Sequence, residues 1–440
     1  MSVAARLHFP PSAMRQKFAL VALLLAAAAP TFAATRLTYP MSGSPTPIYW
    51  AKSAFPISYM IDRRVATAFS GAETIVNRAF DAWSNVPDAD ISFRPLGVGD
   101  NLQPGPNGQN SVTLMDDLFK NQGFVAATTN WYDIPTGQMR EADIQIDTSM
   151  MRSDYNIQLA LEHEIGHLLG LDHSAVLSSV MYPWISKNAP PALASDDSIA
   201  ISAIYPKMSM DEMGGTLQGR VMGDGGAIFA AQVVALNDDG EPVATALTNS
   251  NGDFTLQPVP EGNYRLYAEP LDGPVDPRNL DGVWRNAQVV SFPTEFFGGK
   301  MHVESGKIYG NLVVNSAGSA RLNPKWIGVS PSGRTEFSLG ASPAMLKAGD
   351  SINIAIGGDG FTSGMTTFEV LNPGVRRLSD FKYAGNYVYA MYSVDKNVVS
   401  GSAVISVTSG NETAMLTGAL NVQGTAPAAA PGRVRAIRRG

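Results

Sequence analysis

Eleven residues carry the densest chemistry in this chain: His163-Glu164-Ile165-Gly166-His167-Leu168-Leu169-Gly170-Leu171-Asp172-His173. His163 and His167 are four apart, so on a helix they share one face, one turn apart. Two imidazoles placed that way can meet one metal ion. Glu164, beside the first, is within reach of a metal-bound water and suits a general base. A continuous helix would carry His173 about 15 Å along the axis from His163. Gly170 lets the chain leave the helix sharply, so His173 can return as a third ligand. Three neutral nitrogens leave the fourth position of a tetrahedral Zn²⁺ open for water, the mark of a catalytic rather than a structural site. The expected chemistry is metal-assisted hydrolysis, with His163, His167 and His173 as ligands and Glu164 as base. The whole chain has only five His, so this spacing is no by-product of a His-rich composition.

The elements that must hold these residues can be read from periodicity. Ile75, Val76, Ala79, Phe80 and Trp83 recur at helical spacing within Gly71–Val86. A second helix is expected from Ser153 or Asp154 through Leu169, and a third over Asp196–Tyr205, ending before Pro206. Strands are expected at Ile57–Ile61, Ile91–Arg94, Ser111–Met115, Phe124–Thr129 and Ala142–Ile146. Thr35–Pro56 reads as a Pro/Ser-rich lead. From about Gly214 onward there is no long helical pattern; short apolar runs alternate with turn signals such as Asn251-Gly252 and Glu261-Gly262-Asn263. The expected fold is multidomain: an α+β catalytic domain, with a mixed twisted sheet and three helices, followed by two all-β sandwich domains.

Composition sets the outer limits. A chain of 440 residues suggests two to four domains. A net charge of −7 and the lack of long basic runs argue against a nucleic-acid partner. With no Cys, disulfide frameworks, thiolate nucleophiles and Cys-ligated metals are all excluded. Arg15 and Lys17 precede an apolar run, Phe18–Ala29, and then the small residues Ala33-Ala34. This order reads as a signal peptide over 1–34, complete even if translation starts at Met14, and predicts a secreted protein, extracellular or periplasmic, without transmembrane anchoring. The expected domains are then 35–213, 214–318 and 319–425, with a basic flexible tail at 426–440.

The extended motif followed by Met181 resembles the metzincin signature of a zinc site and a Met-containing turn. Within it, Ser174 after the third His, the run Met181-Tyr182-Pro183, the segment Gly137–Ile144, and Asp196-Asp197 with Ile199 and Tyr205 resemble the matrixin peptidases, over roughly Ile48–Pro206. The resemblance implies a zinc metalloendopeptidase acting on protein or peptide substrates. It places Met181 beneath the zinc as a hydrophobic base. It lays the substrate along an edge strand at Phe124, Val125 and Ala126, and makes Pro183, Trp184 and Ile185 the wall of a selectivity pocket. One zinc is implied, since no His lies between His8 and His163 to hold a second. Asp133, Asp143 and Asp147 offer carboxylate oxygens suited to Ca²⁺ and serve equally as solvated loop charges. Without Cys, a propeptide thiolate cannot silence the site.

Gly219-Arg220-Val221, Val233–Leu236, Thr248–Phe254 and Pro260–Tyr264 resemble a carboxypeptidase regulatory-like β-sandwich. Ala348-Gly349-Asp350 with Gly358–Gly364 is similar to immunoglobulin-like modules of the TIG type. These modules are candidates for binding a surface or the substrate, and the lone His302 reads as a surface residue. The alternative to an enzyme is a surface-binding or adhesive protein whose β-modules do the work and whose peptidase is vestigial.

Overall fold

The computed structural model describes residues 35–425, apart from 42–43, 122–123, 148, 150–156 and 186–191. The expected signal peptide, the expected basic tail and the expected helix start at Ser153 or Asp154 lie outside the described residues.

The first domain is built on a five-stranded sheet of order β4-β3-β5-β7-β6, from β3 (Ile57–Asp62), β4 (Phe93–Gly99), β5 (Asn110–Leu114), β6 (Ala126–Tyr132) and β7 (Met139–Ile146). β6 alone runs antiparallel and stands at the edge. Helix α2 (Ala72–Ser84) turns Val76, Ala79, Phe80 and Trp83 inward, the face its sequence spacing demands. The Phe80 ring stacks on Tyr59 at 3.8 Å between centroids. Across this core lies α4 (Ile157–Leu168), apolar on nearly every side and therefore buried all round. α5 (Ser195–Ile204) closes the domain. Three one-turn helices that short-range periodicity could not announce are α1 (Arg63–Ala66), α3 (Asp117–Lys120) and α6 (Met210–Met213).

Two expectations are corrected. The segment 35–56 is no mere lead: β1 (Thr38–Met41) and β2 (Ser44–Pro47) form a hairpin, and Leu37, Ile48 and Trp50 are buried in the main core. The edge strand begins at Ala126, not Phe124. Phe124 is drawn instead into a small cluster with Met115, Phe119 and Ala127, its ring 6.0 Å from that of Phe119.

Residues 215–316 form a sandwich. One sheet pairs Pro242–Leu247, Gln232–Asn237 and Gly262–Glu269; the other pairs Asp253–Val259, Gly215–Gly223 and Ile308–Ser316. Residues 323–423 form another. One sheet has Asn323–Pro331, Ser351–Asp359 and Tyr387–Val394; the other has Ala344–Lys347, Glu412–Gln423, Gly401–Ser409 and Thr366–Val370. Both sandwiches touch the first domain. Leu177 N–H donates to Thr417 O at 3.0 Å, the Tyr182 hydroxyl donates to Ala341 O, and Thr245 Oγ1 donates to Asp196 Oδ1 at 2.8 Å. Leu177 and Tyr182 belong to the third domain's apolar core. Among the described residues, no helix is long and apolar enough to cross a membrane.

Candidate metal centre

His163 and His167 project from the last two turns of α4, and the helix must stop just beyond them. It stops in a Schellman arrangement: Leu171 N–H donates to Gly166 O at 2.9 Å and Gly170 N–H to His167 O at 3.0 Å. Gly170 stands at φ +98°, and a β-carbon there would lie 2.5 Å from Ile48 O. The orphan carbonyls of this helix end all find donors. Trp50 Nε1 serves Leu168 O at 2.7 Å, the Tyr205 hydroxyl serves Leu169 O at 2.7 Å, and Leu37 N–H serves Gly170 O at 2.9 Å. Asn130 Nδ2, from the edge strand, serves His167 O at 3.0 Å. The helix end that carries the ligands is thus tied to the N-terminal segment, α5 and β6.

The chain then returns His173 to the helix, and the three imidazoles meet with ligand nitrogens within 4.8 Å of one another. Each Nδ1 faces a carbonyl oxygen: His163 to Val180 O at 2.7 Å, His167 to Leu171 O at 2.9 Å, His173 to Asn279 O at 2.5 Å. A carbonyl only accepts, so each Nδ1 carries the proton and each Nε2 presents a lone pair. The Nε2 atoms of His163 and His167 are 3.1 Å apart. Two nitrogens bound tetrahedrally to one zinc would be roughly 3.3 Å apart. Burial, reinforced by the neighbouring imidazoles, depresses the pKa of His167 well below its ordinary value and that of His173 to about 3. Both are held in the neutral, ligating form. Lone pairs that converge without a proton between them can hold a cation, and three imidazoles suit zinc.

Glu164 is nearly buried, and its Oε2 accepts from the Thr128 hydroxyl of β6 at 2.7 Å. The turn Ser179–Tyr182, which supplies the Val180 carbonyl to His163, is closed by Ser174 N–H to Met181 O at 2.9 Å. Asp197, at the start of α5, holds this turn. Its carboxylate accepts from Val180 N–H at 2.8 Å, Met181 N–H at 3.3 Å and the Ser179 hydroxyl. Asp196 accepts from the Ser174 hydroxyl at 2.8 Å. Burial raises the pKa of both, that of Asp196 to about 7. Met181 is buried, its sulfur against Gly166.

Of the expected substrate residues, Ala126 lies on the edge strand, while Phe124 and Val125 precede it. Tyr182, Trp184 and Ile185 line a cleft of about 460 Å³ with Leu159 and Val180, and its far side belongs to the third domain through Met345 and Ser402. Pro183 is not among that lining. Asp133, Asp143 and Asp147 do not converge; among the described residues, the three His form the only such group. Asp133 accepts from the Thr136 hydroxyl within a turn, and Asp147 accepts from Ser149. Asp143 instead receives Ser111 N–H at 2.9 Å and Gly105 N–H at 2.8 Å. With Glu141, which receives Asn107 and Gly108 N–H, it pins the loop before β5. His302 is exposed and meets Asn263. Sequence reasoning gave no role to Thr128, Asn279 or the carboxyl groups of Asp196 and Asp197 at this site. The one signal for any of them was the acidic pair opening α5.

The matrixin family model matches residues 49–206, and that of the carboxypeptidase regulatory-like domain matches residues 216–272. Metalloendoproteinase 1 of Glycine max is 30% identical over 175 residues, 39% of this chain and 50% of that protein. Matrix metalloproteinase-18 of Xenopus laevis is 30% identical over 153 residues, 31% of this chain and 29% of that protein. The chain thus spans half or less of these relatives. Among solved structures, the major pilin subunit of Bacillus cereus aligns over 48% of this chain and 70% of that chain at 12% identity, with a TM-score of 0.15. Residues 49–206 are a matrixin domain, and a carboxypeptidase regulatory-like domain follows it at 216–272.

Proposed function

We propose that this protein is an exported zinc-dependent endopeptidase that hydrolyses extended protein segments. The observation that carries the reading is the convergence of the three imidazoles, each with its Nδ1 against a carbonyl oxygen so that its Nε2 is left to the centre, with Glu164 next to His163 on the same helix. Zinc held by His163, His167 and His173 would supply a Lewis acid and would acidify a water toward ~7. Glu164 takes the proton of the attacking water and returns it to the leaving amine. Thr128 holds the Glu164 carboxylate in place through its hydroxyl. The outer edge of β6 offers backbone groups that an extended peptide can pair with, largely blind to side chains. Selectivity falls to the cleft beside Tyr182, Trp184 and Ile185, which receives a substrate side chain. The apolar segment before Ala33-Ala34 directs export.

The test is Glu164→Gln in the full chain, with casein or gelatin as substrate. Zinc content should stay at one per chain while turnover falls by about 10²–10⁴-fold. A chelator should abolish wild-type cleavage. Cleavage that survives either the substitution or the chelator refutes the reading and leaves a protein whose β-modules carry its function.

A further inference from the structure

The third ligand is held differently from the other two. Val180 and Leu171, whose carbonyls orient His163 and His167, belong to the matrixin domain itself. The carbonyl that orients His173 belongs to Asn279, 106 residues further on, in the long excursion that the second domain makes between Gly262–Glu269 and Glu295–Phe296. We infer that the turn around Asn279 is a built part of the metal centre: a positioning element, supplied by the accessory domain, that fixes the one ligand not carried by the helix. The inference rests on the reading of the three His as a zinc site.

Independent contacts support this. Asp281 N–H donates to Asp172 Oδ2 at 2.9 Å, while Asp172 Oδ1 accepts from His173 N–H at 2.7 Å. The side chain of His173 and the carboxylate that holds its backbone are therefore both gripped from one short stretch, residues 279–281. The turn is stiff enough to serve. Asp276 and Asn279 bond reciprocally, Asp276 N–H to Asn279 Oδ1 at 3.0 Å and Asn279 N–H to Asp276 O at 2.9 Å. Pro277 opens the one-turn helix Pro277–Asn279 at a position that needs no N–H. Leu280, directly after it, is buried in the apolar cluster that also holds Val275 and Leu271 of its own domain, Leu177 and Tyr182 of the first and Leu346 of the third, so the turn is anchored in a core that the three domains share. Gly282 stands at φ +65° directly against Thr38, leaving no room for a β-carbon. Partners that orient a metal-bound His typically govern affinity by 10–100-fold. His173 has no helix to orient it, so it depends on this turn more than His163 or His167 depends on its own partner.

The test uses the full chain, stripped of metal and titrated with zinc against a chelating dye. Three variants are compared with the wild type: residues 277–280 replaced by two glycines, Gly282→Val, which wedges the turn off Thr38, and Asn263→Ala, a control at the other end of the same domain. Zinc affinity should fall about 10–100-fold in both turn variants and stay unchanged in the control. With Co²⁺ as probe, the turn variants should lose visible absorption intensity as coordination departs from four, and the control should not. Unchanged affinity and spectra in the turn variants overturn the inference. So does a drop in the metal-free melting temperature as large as the loss of affinity implies, because the turn would then be a general support. If the wild type takes up no stoichiometric zinc, the reading of the site as a zinc centre fails instead.

Discussion

The hydroxyl of Thr128 lies 2.7 Å from Oε2 of Glu164 and 2.9 Å from the same residue's backbone oxygen, so one side chain of the edge strand touches the helix at the residue proposed as base. A hydroxyl has a single proton to give. Directed at Oε2, it fixes which carboxylate oxygen is left to face the water. Thr128→Val keeps the shape and the β-branch of the strand residue but removes the donor. We expect kcat to fall by roughly 10- to 100-fold with little change in KM, because the loss is of aim rather than of binding. Thr128→Ser should restore most of the rate. Unaltered kcat in the valine variant would show that Glu164 needs no such support.

Gly166 sits in mid-helix between two ligands, where glycine costs about 1 kcal/mol relative to alanine. Packing explains its presence: a β-carbon there would run into the sulfur of Met181 and come within 3.1 Å of Trp83 Cζ2. Gly166→Ala should therefore destabilise the chain by about 1–3 kcal/mol despite its better helix propensity. Adding Met181→Ala should recover part of that, so the double variant is less destabilised than the two single effects summed. Denaturant unfolding of the four proteins measures the coupling. Strict additivity would mean that the helix and the turn do not press on each other.

These two residues also show what the sequence could and could not reveal. The His cluster was legible because His163, His167, Gly170 and His173 come together through spacing alone. That Met181 lies in a turn packed on the helix was legible through its resemblance to a known turn. Thr128 was not, since its role arises from the register of β6 against α4, and its hydroxyl reads like that of any strand threonine. Asn279 was less legible still: it contributes a backbone oxygen, which every residue type carries, from a different domain. The true start of β6 was missed for a related reason, because the ring of Phe124 satisfies a strand pattern while it packs on Phe119.

Glu269, buried at the joint between the two β-domains, should make that joint sensitive to pH. It lies buried with Oε1 accepting from Gln232 Nε2 at 2.9 Å and from the Thr417 hydroxyl of the third domain at 2.7 Å. Burial raises its pKa from 4.5 to about 8. The folded chain therefore holds a proton that the unfolded chain has released. This contribution to stability is complete below about pH 4.5, shrinks as pH rises, and is lost once pH passes about 8. The slope is at most ~1.4 kcal/mol per pH unit. Glu269→Gln keeps an acceptor oxygen and does not titrate. Its stability relative to wild type should grow from pH 5 to pH 8 and then level off. A difference that stays constant across that range would mean that Glu269 is not protonated in the fold.

If the cleft next to Val180 receives a substrate side chain, as proposed, the third domain takes part in selectivity. Leu159, Val180, Tyr182, Trp184 and Ile185 supply one side, and Met345 with Ser402 the other, around about 460 Å³. A side chain that enters past Val180, whose carbonyl meets His163, has far atoms that meet residues outside the matrixin domain. Met345→Trp shortens that space without touching the ligands, the edge strand or Glu164. Peptides with large apolar side chains at the position entering the cleft should lose about 10-fold or more in kcat/KM, while those with alanine there keep theirs. Met345→Ala should shift preference in the opposite direction. Cleavage-site profiling of a proteome-derived peptide mixture, read by mass spectrometry, measures both. An identical profile for the three proteins would place the end of the selectivity pocket short of the third domain and confine specificity to Tyr182, Trp184 and Ile185.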